Sequence, residues 1–420
     1  MSVEVHALSR LRVDVEAAGS YLADGTGTLG NYEDVPCQGV ASVTLTKDEN
    51  DPAIVQQFLD QRSEKVVGRR SWSLSFTCNL TSTGTAAGST VAAISDVLGT
   101  LLKAIMGAEN TSTGTTINDA GAAATDYDLT ATTGWVSGMV GGTTISGAVQ
   151  WRPVKTLAGS NIIHSLATTA APANGAVVYG SACYSLTEDP DTSLQFIVQG
   201  AEGNDGWVLL GGQGGFTLNI PRSGIPTITF QLSGPYWMHG SECAGSANLD
   251  AYTLAAATYP SQGYALAEAG NFFQWTNGTA TYTASTVTTE GSQVHVADET
   301  WTVNIPYVDI PSPSGLLGSG VIRKRRMKAT VGVSFKCPYQ ALATWFTARD
   351  SALDKGFARQ IGTAAGSTLM LHAPTCQVVD VQRVDTDGMA YQQITAEARN
   401  DSETTASGAL QRSNFRLSRC

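Results

Sequence analysis

The chain has 420 residues and a formal net charge of −11, too long for one ordinary domain. Charged residues are only 15%, against roughly 25% in ordinary soluble proteins, while Gly, Thr, Ser and Ala are abundant. That balance weighs against a general nucleic-acid binder, whose footprint is a basic patch with aromatic platforms, and points to a β-protein that hides surface in an assembly, with an extracellular β-protein of similar composition as the alternative.

Met1–Arg12 has no hydrophobic signal core and no stretch is long enough to span a bilayer, so no membrane insertion is expected. Val43-Thr44-Leu45 reads as a strand, followed by a polar excursion from Asp48 to Arg70. Next comes Ser-Trp-Ser-Leu-Ser-Phe-Thr-Cys from Ser71 to Cys78. Its period of two puts Trp72, Leu74, Phe76 and Cys78 on one face of a sheet. A Thr/Ser/Gly linker leads to a helix pattern at Ile94, Val97, Leu98, Leu101, Leu102 and Ile105. Ser89 or Thr90 is its expected cap and Gly107 its closing glycine.

A stretch from Ala108 to Tyr184 has no counterpart later in the chain. Then follow apolar alternations at Leu194, Phe196 and Val198, at Trp207 and Leu209, and at Phe216, Leu218 and Ile220. A turn at Arg222–Pro226 returns to Ile228, Phe230 and Leu232. The glycine-rich Gly211–Gly215 opens no helix, so it fails the phosphate-loop context and reads as a turn or bulge.

The second half runs in the same order. Val294-His295-Val296 precedes an excursion from Asp298 to Arg326. Thr-Val-Gly-Val-Ser-Phe-Lys-Cys, Thr330 to Cys337, repeats the alternation at Val331, Val333, Phe335 and Cys337. Pro338 suits a first helical turn, Leu342, Trp345, Phe346 and Leu353 supply an apolar face, and Gly356 closes it. Leu369, Leu371, Val378 and Val379 lead to the hairpin turn Thr386-Asp387-Gly388 and back through Tyr391, Ile394 and Ala396. This closing hairpin reads as shorter and more charged than its counterpart. Two copies of one unit are expected, with Phe76 and Phe335 equivalent.

No catalytic constellation emerges, and neither enzymatic activity nor a cofactor is expected. The five histidines are dispersed, and no pair among the seven cysteines sits at metal-ligand spacing. The cysteine pattern reads as reduced and intracellular. Cys78 and Cys337 read as small buried hydrophobes, and Cys420 as an exposed thiol or nothing. The acidic runs Asp48–Asp51 and Glu188–Asp191 lack the ligand ladder of a calcium loop and read as turns. Trp207, Trp237, Trp275 and Trp301 belong to the core or to subunit contacts. Arg323, Lys324, Arg325, Arg326 and Lys328 form a cationic cluster, whereas Ala104–Trp151 and Ser223–Ile322 hold acidic residues and no Lys or Arg. The cluster reads as a solvated strand end, or as a basic surface meeting an acidic one on the next subunit.

The strand and excursion from Val43 to Phe76, echoed before Phe335, carry a resemblance. So do the single helices Ile94–Gly107 and Pro338–Gly356, the low-charge composition, and the hairpin Gly211–Gly234. That hairpin reads Gly-Gly-Phe-Thr-Leu-Asn-Ile, a Gly-Ile-Pro turn and Thr-Ile-Thr-Phe-Gln-Leu-Ser-Gly. Each half resembles the major tail tube protein of long-tailed (siphovirus-like) bacteriophages and, more distantly, contractile-tail and type VI secretion tubes. The resemblance implies a mainly β fold with a minor α+β character. It implies two tandem β-sandwich or β-barrel tail-tube units, each with one flanking α-helix. They are residues 1–243, with an insertion at about 108–184, and residues 244–420.

It further implies a virion structural protein whose rings close a sheet across subunits and stack into a hollow conduit for double-stranded DNA. Such a protein assembles in the host bacterial cytoplasm and resides in the phage tail. Two units per chain imply a trimeric, pseudo-sixfold ring; a hexamer of one unit plus an accessory β-domain is the runner-up. Tape-measure, tail terminator and tail-tip proteins are the implied partners, and DNA passes transiently and non-specifically. The excursions Lys47–Arg69 and Asn304–Arg325 resemble stacking loops. Candidate inter-ring or inter-subunit contacts are therefore Asp48, Glu49, Asp51, Arg62, Lys65, Arg69, Arg323, Lys324, Arg325 and Arg326. The acidic, base-free stretches are the candidate lumen lining. The competing classes are a β-sandwich surface or adhesion protein and a carbohydrate-active enzyme on a β-scaffold, which needs a paired-carboxylate cleft.

Overall fold

The computed structural model describes residues 3–4, 8–16, 32–50, 66–82, 96–164, 168–186, 192–200, 206–221, 224–239, 263–264, 272–275, 297–308, 325–326, 329–338, 342–352, 354–362, 366–386, 388–399 and 413–420. The principal elements of the first half are β1 (Leu8–Glu16), β2 (Ser42–Asn50), β3 (Val66–Asn79), α1 (Val97–Met106), β4 (Gly107–Thr111), β5 (Ala182–Leu186), β6 (Ser193–Gly200), β7 (Gly206–Ile220), β8 (Thr227–Gly234) and β9 (Tyr236–His239). The second half contributes β10 (Phe272–Trp275), β11 (Ala297–Asn304), β12 (Thr330–Pro338), α2 (Leu342–Asp350), β13 (Asp354–Ile361), β14 (Leu369–Thr386), β15 (Met389–Ala398) and β16 (Arg416–Arg419). The fold is mainly β and antiparallel.

One pairing order occurs twice. In the first half β2 pairs with β3, β3 with β8, and β8 with the second part of β7. In the second half β11 pairs with β12, β12 with β15, and β15 with the second part of β14. Phe76 faces Phe230 in the first run, and Phe335 faces Ile394 in the second. The two runs join where β7 pairs with β11, Phe216 opposite Val303 through Ile220 opposite Glu299. The result is an antiparallel run of eight strands, β2-β3-β8-β7-β11-β12-β15-β14. Period-two alternation turns Leu74, Phe76, Phe230, Trp301, Val333 and Phe335 into the core and leaves Ser and Thr on the other face.

A second layer grows from the same long strands. The first part of β7 lies between β6 and β9, and its second part between β8 and β11. The glycine-rich segment makes this change of neighbours. The β6–β7 register shifts between Leu194 and Phe196 opposite Leu210 and Gly211, and Gly211 has φ +70°. At Gly214 a Cβ would lie 2.0 Å from the Gln231 carbonyl oxygen, so no side chain fits there. β14 repeats the plan, with its first part between β13 and β16 and its second against β15. Because β7 and β14 run through both layers, the ladders connect into one 18-stranded network. A shared apolar core, from Leu11 on β1 to Leu417 on β16, fills the space between.

Helix α1 packs its Leu98, Leu101, Leu102 and Ile105 face into that core. Its cap is Asp96 rather than Ser89 or Thr90: the carboxylate accepts from Gly99 N at 2.6 Å, and Gly107 closes the helix with φ +94°. Asp96 is also gripped by the buried guanidinium of Arg419, whose Nη1 lies 2.7 Å from Oδ1. That pair clamps the first half's helix to the strand that ends the chain.

The stretch between β4 and β5 is an insertion. Its ends pair with each other, Gly107 opposite Leu186 and Thr111 opposite Ala182. Between them a separate six-stranded sheet spans residues 115–179, with a small core around Tyr127, Trp135, Val154 and Ile162. There His164 Nε2 lies 2.6 Å from Tyr127 Oη, and burial, reinforced by the Arg152 charge, depresses the imidazole pKa to about 3. The insertion is welded to the second half: β5 pairs with β16, and Trp151 packs with Met370 and Cys420.

Several expectations are corrected. Pro338 ends β12 instead of opening a helix, and Gly356 lies within β13, at the irregularity between Lys355 and Phe357, instead of closing one. A proline suits a strand end and a glycine suits a bulge for the same reason: neither position needs regular ladder geometry. Val294–Val296 lies outside the described residues. The strand preceding the second excursion is β11, where Trp301 and Val303 face Val333 and Val331 as Val43 and Leu45 face Leu74 and Trp72. The second closing hairpin is the longer one, with strands of 18 and 10 residues against 15 and 8. Cys420 is buried, as are Cys78 and Cys337.

Replacing Asp96 with Ala removes the cap and strands the Arg419 charge in the core. The expected loss is about 3–5 kcal/mol, read from the urea midpoint. A loss below about 1 kcal/mol would show that this pair does not hold the two halves.

Candidate functional site: a hydroxyl-lined face and its two edges

The face of the eight-stranded run turned away from the core is paved with hydroxyls and amides. Thr77, Thr229, Thr217 and Thr302 are successive ladder partners across β3, β8, β7 and β11. Their row crosses the joint between the halves, with Thr77 Oγ1 2.9 Å from Thr229 Oγ1. Neighbouring rows hold Ser42, Ser75 and Gln231, then Thr44, Ser73 and Ser233, then Asn219, Thr300, Ser334 and Thr395. The rows just named carry no charge in the first half, and fixed charge enters with the second half. It comprises Lys336, bound to Asp298 at 3.0 Å, with Glu397 and Asp380.

The joint has a buried polar end. Glu299, opposite Ile220, is 1% exposed; it accepts from Trp301 Nε1, and its Oε2 lies 2.9 Å from Arg359 Nε. Burial raises the Glu299 pKa above its ordinary 4.5, while the Arg359 charge and the Trp301 hydrogen bond oppose the shift. Trp301 is thereby fixed in the core, where it is fully buried, and is not a subunit contact. Trp207 and Trp237 are half-buried against the same core.

The run ends in two edges. On β2, the side away from β3 meets only Val3–Glu4 among the described residues, Val3 opposite Leu45 and Glu4 opposite Thr44. On β14, β13 pairs only as far as Gln377, and residues 380–386 pair only with β15 among the described residues. Large apolar side chains are exposed near both edges, Val40 at 64%, Val379 at 42% and Met389 at 54%.

Strands of the run alternate in direction, so the excursions after β2 and after β11 leave from the same end. Both are narrower than the sequence suggests, because the hairpin ladders climb into them. The first reaches Asn50 opposite Val66, and the second resumes as Tyr307 opposite Arg326 and Val308 opposite Arg325. Asp48 is exposed at the irregularity between Lys47 and Glu49. Glu49 and Arg69 lie on the first stem, and Arg325 and Arg326 on the second. Asp51, Arg62, Lys65, Arg323 and Lys324 lie outside the described residues. Of the acidic residues read as lumen lining, Glu109, Asp119, Asp126 and Asp128 sit in β4 and the inserted domain, off the hydroxyl face. Sequence reasoning followed the apolar half of each alternation; the signal it passed over was the polar half, as in Ser71, Ser73, Ser75 and Thr77.

Among the described residues, no three His, Cys, Asp or Glu side chains gather as a metal-binding group, and no helix is long and apolar enough to cross a membrane. No family model matches the chain, and no curated protein matches it.

A carboxyl whose folded-state pKa is raised contributes fully below its ordinary value of 4.5 and progressively less as pH rises through the folded-state value. Glu299→Gln keeps an acceptor for Trp301 and removes the charge. Relative to the parent chain, the variant should therefore be more favoured at about pH 7 than at pH 4.5, the ordinary carboxyl value above which the parent begins to lose this contribution. Urea midpoints measured at both values check this, and an unchanged difference would contradict it.

Proposed function

We propose that this chain is the structural subunit of a hollow phage-type tail tube, with two tube units in tandem. The observation that carries the reading is the β7–β11 joint. Inside one chain, the closing strand of the first four-stranded run pairs with the opening strand of the second. The same two strand types, β14 and β2, stand at the outer ends of the run. A sheet edge with unpaired backbone groups is a template for another strand. A second copy supplies the matching edge, and three chains close a ring of six like units with no edge remaining. A closed sheet of three such runs, at about 4.8 Å between strands and about 40° tilt, is on the order of 45 Å across. That admits a DNA duplex with room for side chains.

The hydroxyl face suits the wall of such a conduit. With few fixed cations, it offers phosphates little ionic attraction and releases few DNA counterions, so the polymer passes without being held tightly. Stems on a common end of the sheet suit contacts to the adjacent ring. On this reading the protein is a virion component assembled in the host cytoplasm, with tape-measure, terminator and tip proteins as further partners.

Negative-stain microscopy and native mass spectrometry test the reading. Stacked hollow rings of three chains are expected. A chain that stays monomeric at every concentration, with tail partners present, would overturn it. The wall is tested separately with Thr217→Lys combined with Thr302→Lys. Tubes of this variant should retain double-stranded DNA at low salt and release it as salt rises, whereas parent tubes retain none. Retention by the parent tubes would remove the neutral-wall account.

A further inference from the structure

We propose that Val3–Glu4 is a removable plug on the β2 edge, displaced when residues 380–386 of a second copy add to that edge. The inference rests on the ring reading above and adds its regulation. The internal joint supplies the register. There Phe216 stands opposite Val303 and Thr217 opposite Thr302. On β14, Val381 and Gln382 face Ile394 and Gln393, as Phe216 and Thr217 face Phe230 and Thr229. On β2, Leu45 and Thr44 face Trp72 and Ser73, as Val303 and Thr302 face Val331 and Gly332. Transferring the internal register therefore sets Val381 opposite Leu45 and Gln382 opposite Thr44. Those are the two positions that Val3 and Glu4 occupy within the chain.

Plug and incoming strand cannot both bind. Among the described residues the plug makes a two-residue ladder, while the incoming strand offers seven residues, so the exchange favours the longer ladder once a second copy is near. The same register continues to Val40 opposite Thr386, which itself faces Met389. Val40 and Met389 are 64% and 54% exposed in the single chain and would flank Thr386 in one row across the joint. Exposed apolar side chains beside an unfilled edge are what an interface leaves behind when its partner is absent. Holding the plug in place until copies concentrate keeps the free edge from pairing at random.

One position reads both states. A chain carrying Glu4→Cys and Thr44→Cys should close an internal disulfide under oxidised glutathione, stay out of rings, and assemble again on reduction. A chain carrying Thr44→Cys and Gln382→Cys should cross-link between copies only when assembled, as peptide mapping would show. A chain starting at residue 8 should form rings at a concentration at least about fivefold lower than the parent. If the oxidised 4–44 chain forms rings as readily as the parent, or the shortened chain gains nothing, the plug is wrong while the ring reading stands. If no chain forms rings, including the shortened one, and no 44–382 cross-link appears, both fall together.

Discussion

A β-strand at the edge of a sheet carries backbone donors and acceptors that must be paired, covered or kept from strangers, and the architecture of this chain follows from how it answers that demand. The β7–β11 ladder satisfies it once inside the molecule, joining two four-strand runs of the same order. Its closed polar end, with Glu299 held between Trp301 and Arg359, lets a carboxyl sit in a core that would otherwise exclude it. At the outer ends the demand is met only in part among the described residues, by two residues on β2. On β14, beyond Gln377, it is met on one side alone among the described residues.

The two layers are held by strands that belong to both. β7 and β14 begin in one layer and finish in the other, so neither layer can shift without bending a continuous backbone. Glycine makes the crossing possible in β7, since the neighbouring chain approaches Gly214 too closely for any Cβ. Arg419 adds a lock across the whole sequence. It stands opposite Ala182 and Leu369 in the second layer and binds the cap of α1. The insertion between β4 and β5 takes part in this closure, because its base continues the second layer of the other half.

The polar face gains its meaning from the joint. Hydroxyls on either half alone would be ordinary solvent-facing residues of a half-buried sheet. Joined edge to edge, they form an uninterrupted row from Thr77 to Thr302 that passes from one half to the other. A wall of that kind is a property of the sheet rather than of any residue in it.

The alternating strands, the position of α1 and the closing hairpins were legible in the sequence, because a period of two and a closing glycine are local signals. Phe76 and Phe335 carry the same alternation, and each faces an apolar residue on the next strand of its run, Phe230 and Ile394. The cap at Asp96 was missed because a carboxylate between Ser95 and Val97 looks like part of the helix, and its partner Arg419 lies 323 residues away. Pro338 and Gly356 were placed in a helix because their local preferences suit a helix end as well as a strand end or a bulge. The hydroxyl face was written in every second residue, yet nothing local says which strands stand side by side. The sequence by itself determined which side of each strand is apolar and where the chain turns, because these depend on neighbours within a few residues. Only the tertiary structure decided that β7 meets β11, that β14 and β2 are left at the edges, and that the insertion fastens to the other half. Those choices rest on backbone hydrogen bonds between distant segments, which carry no side-chain signature of their own.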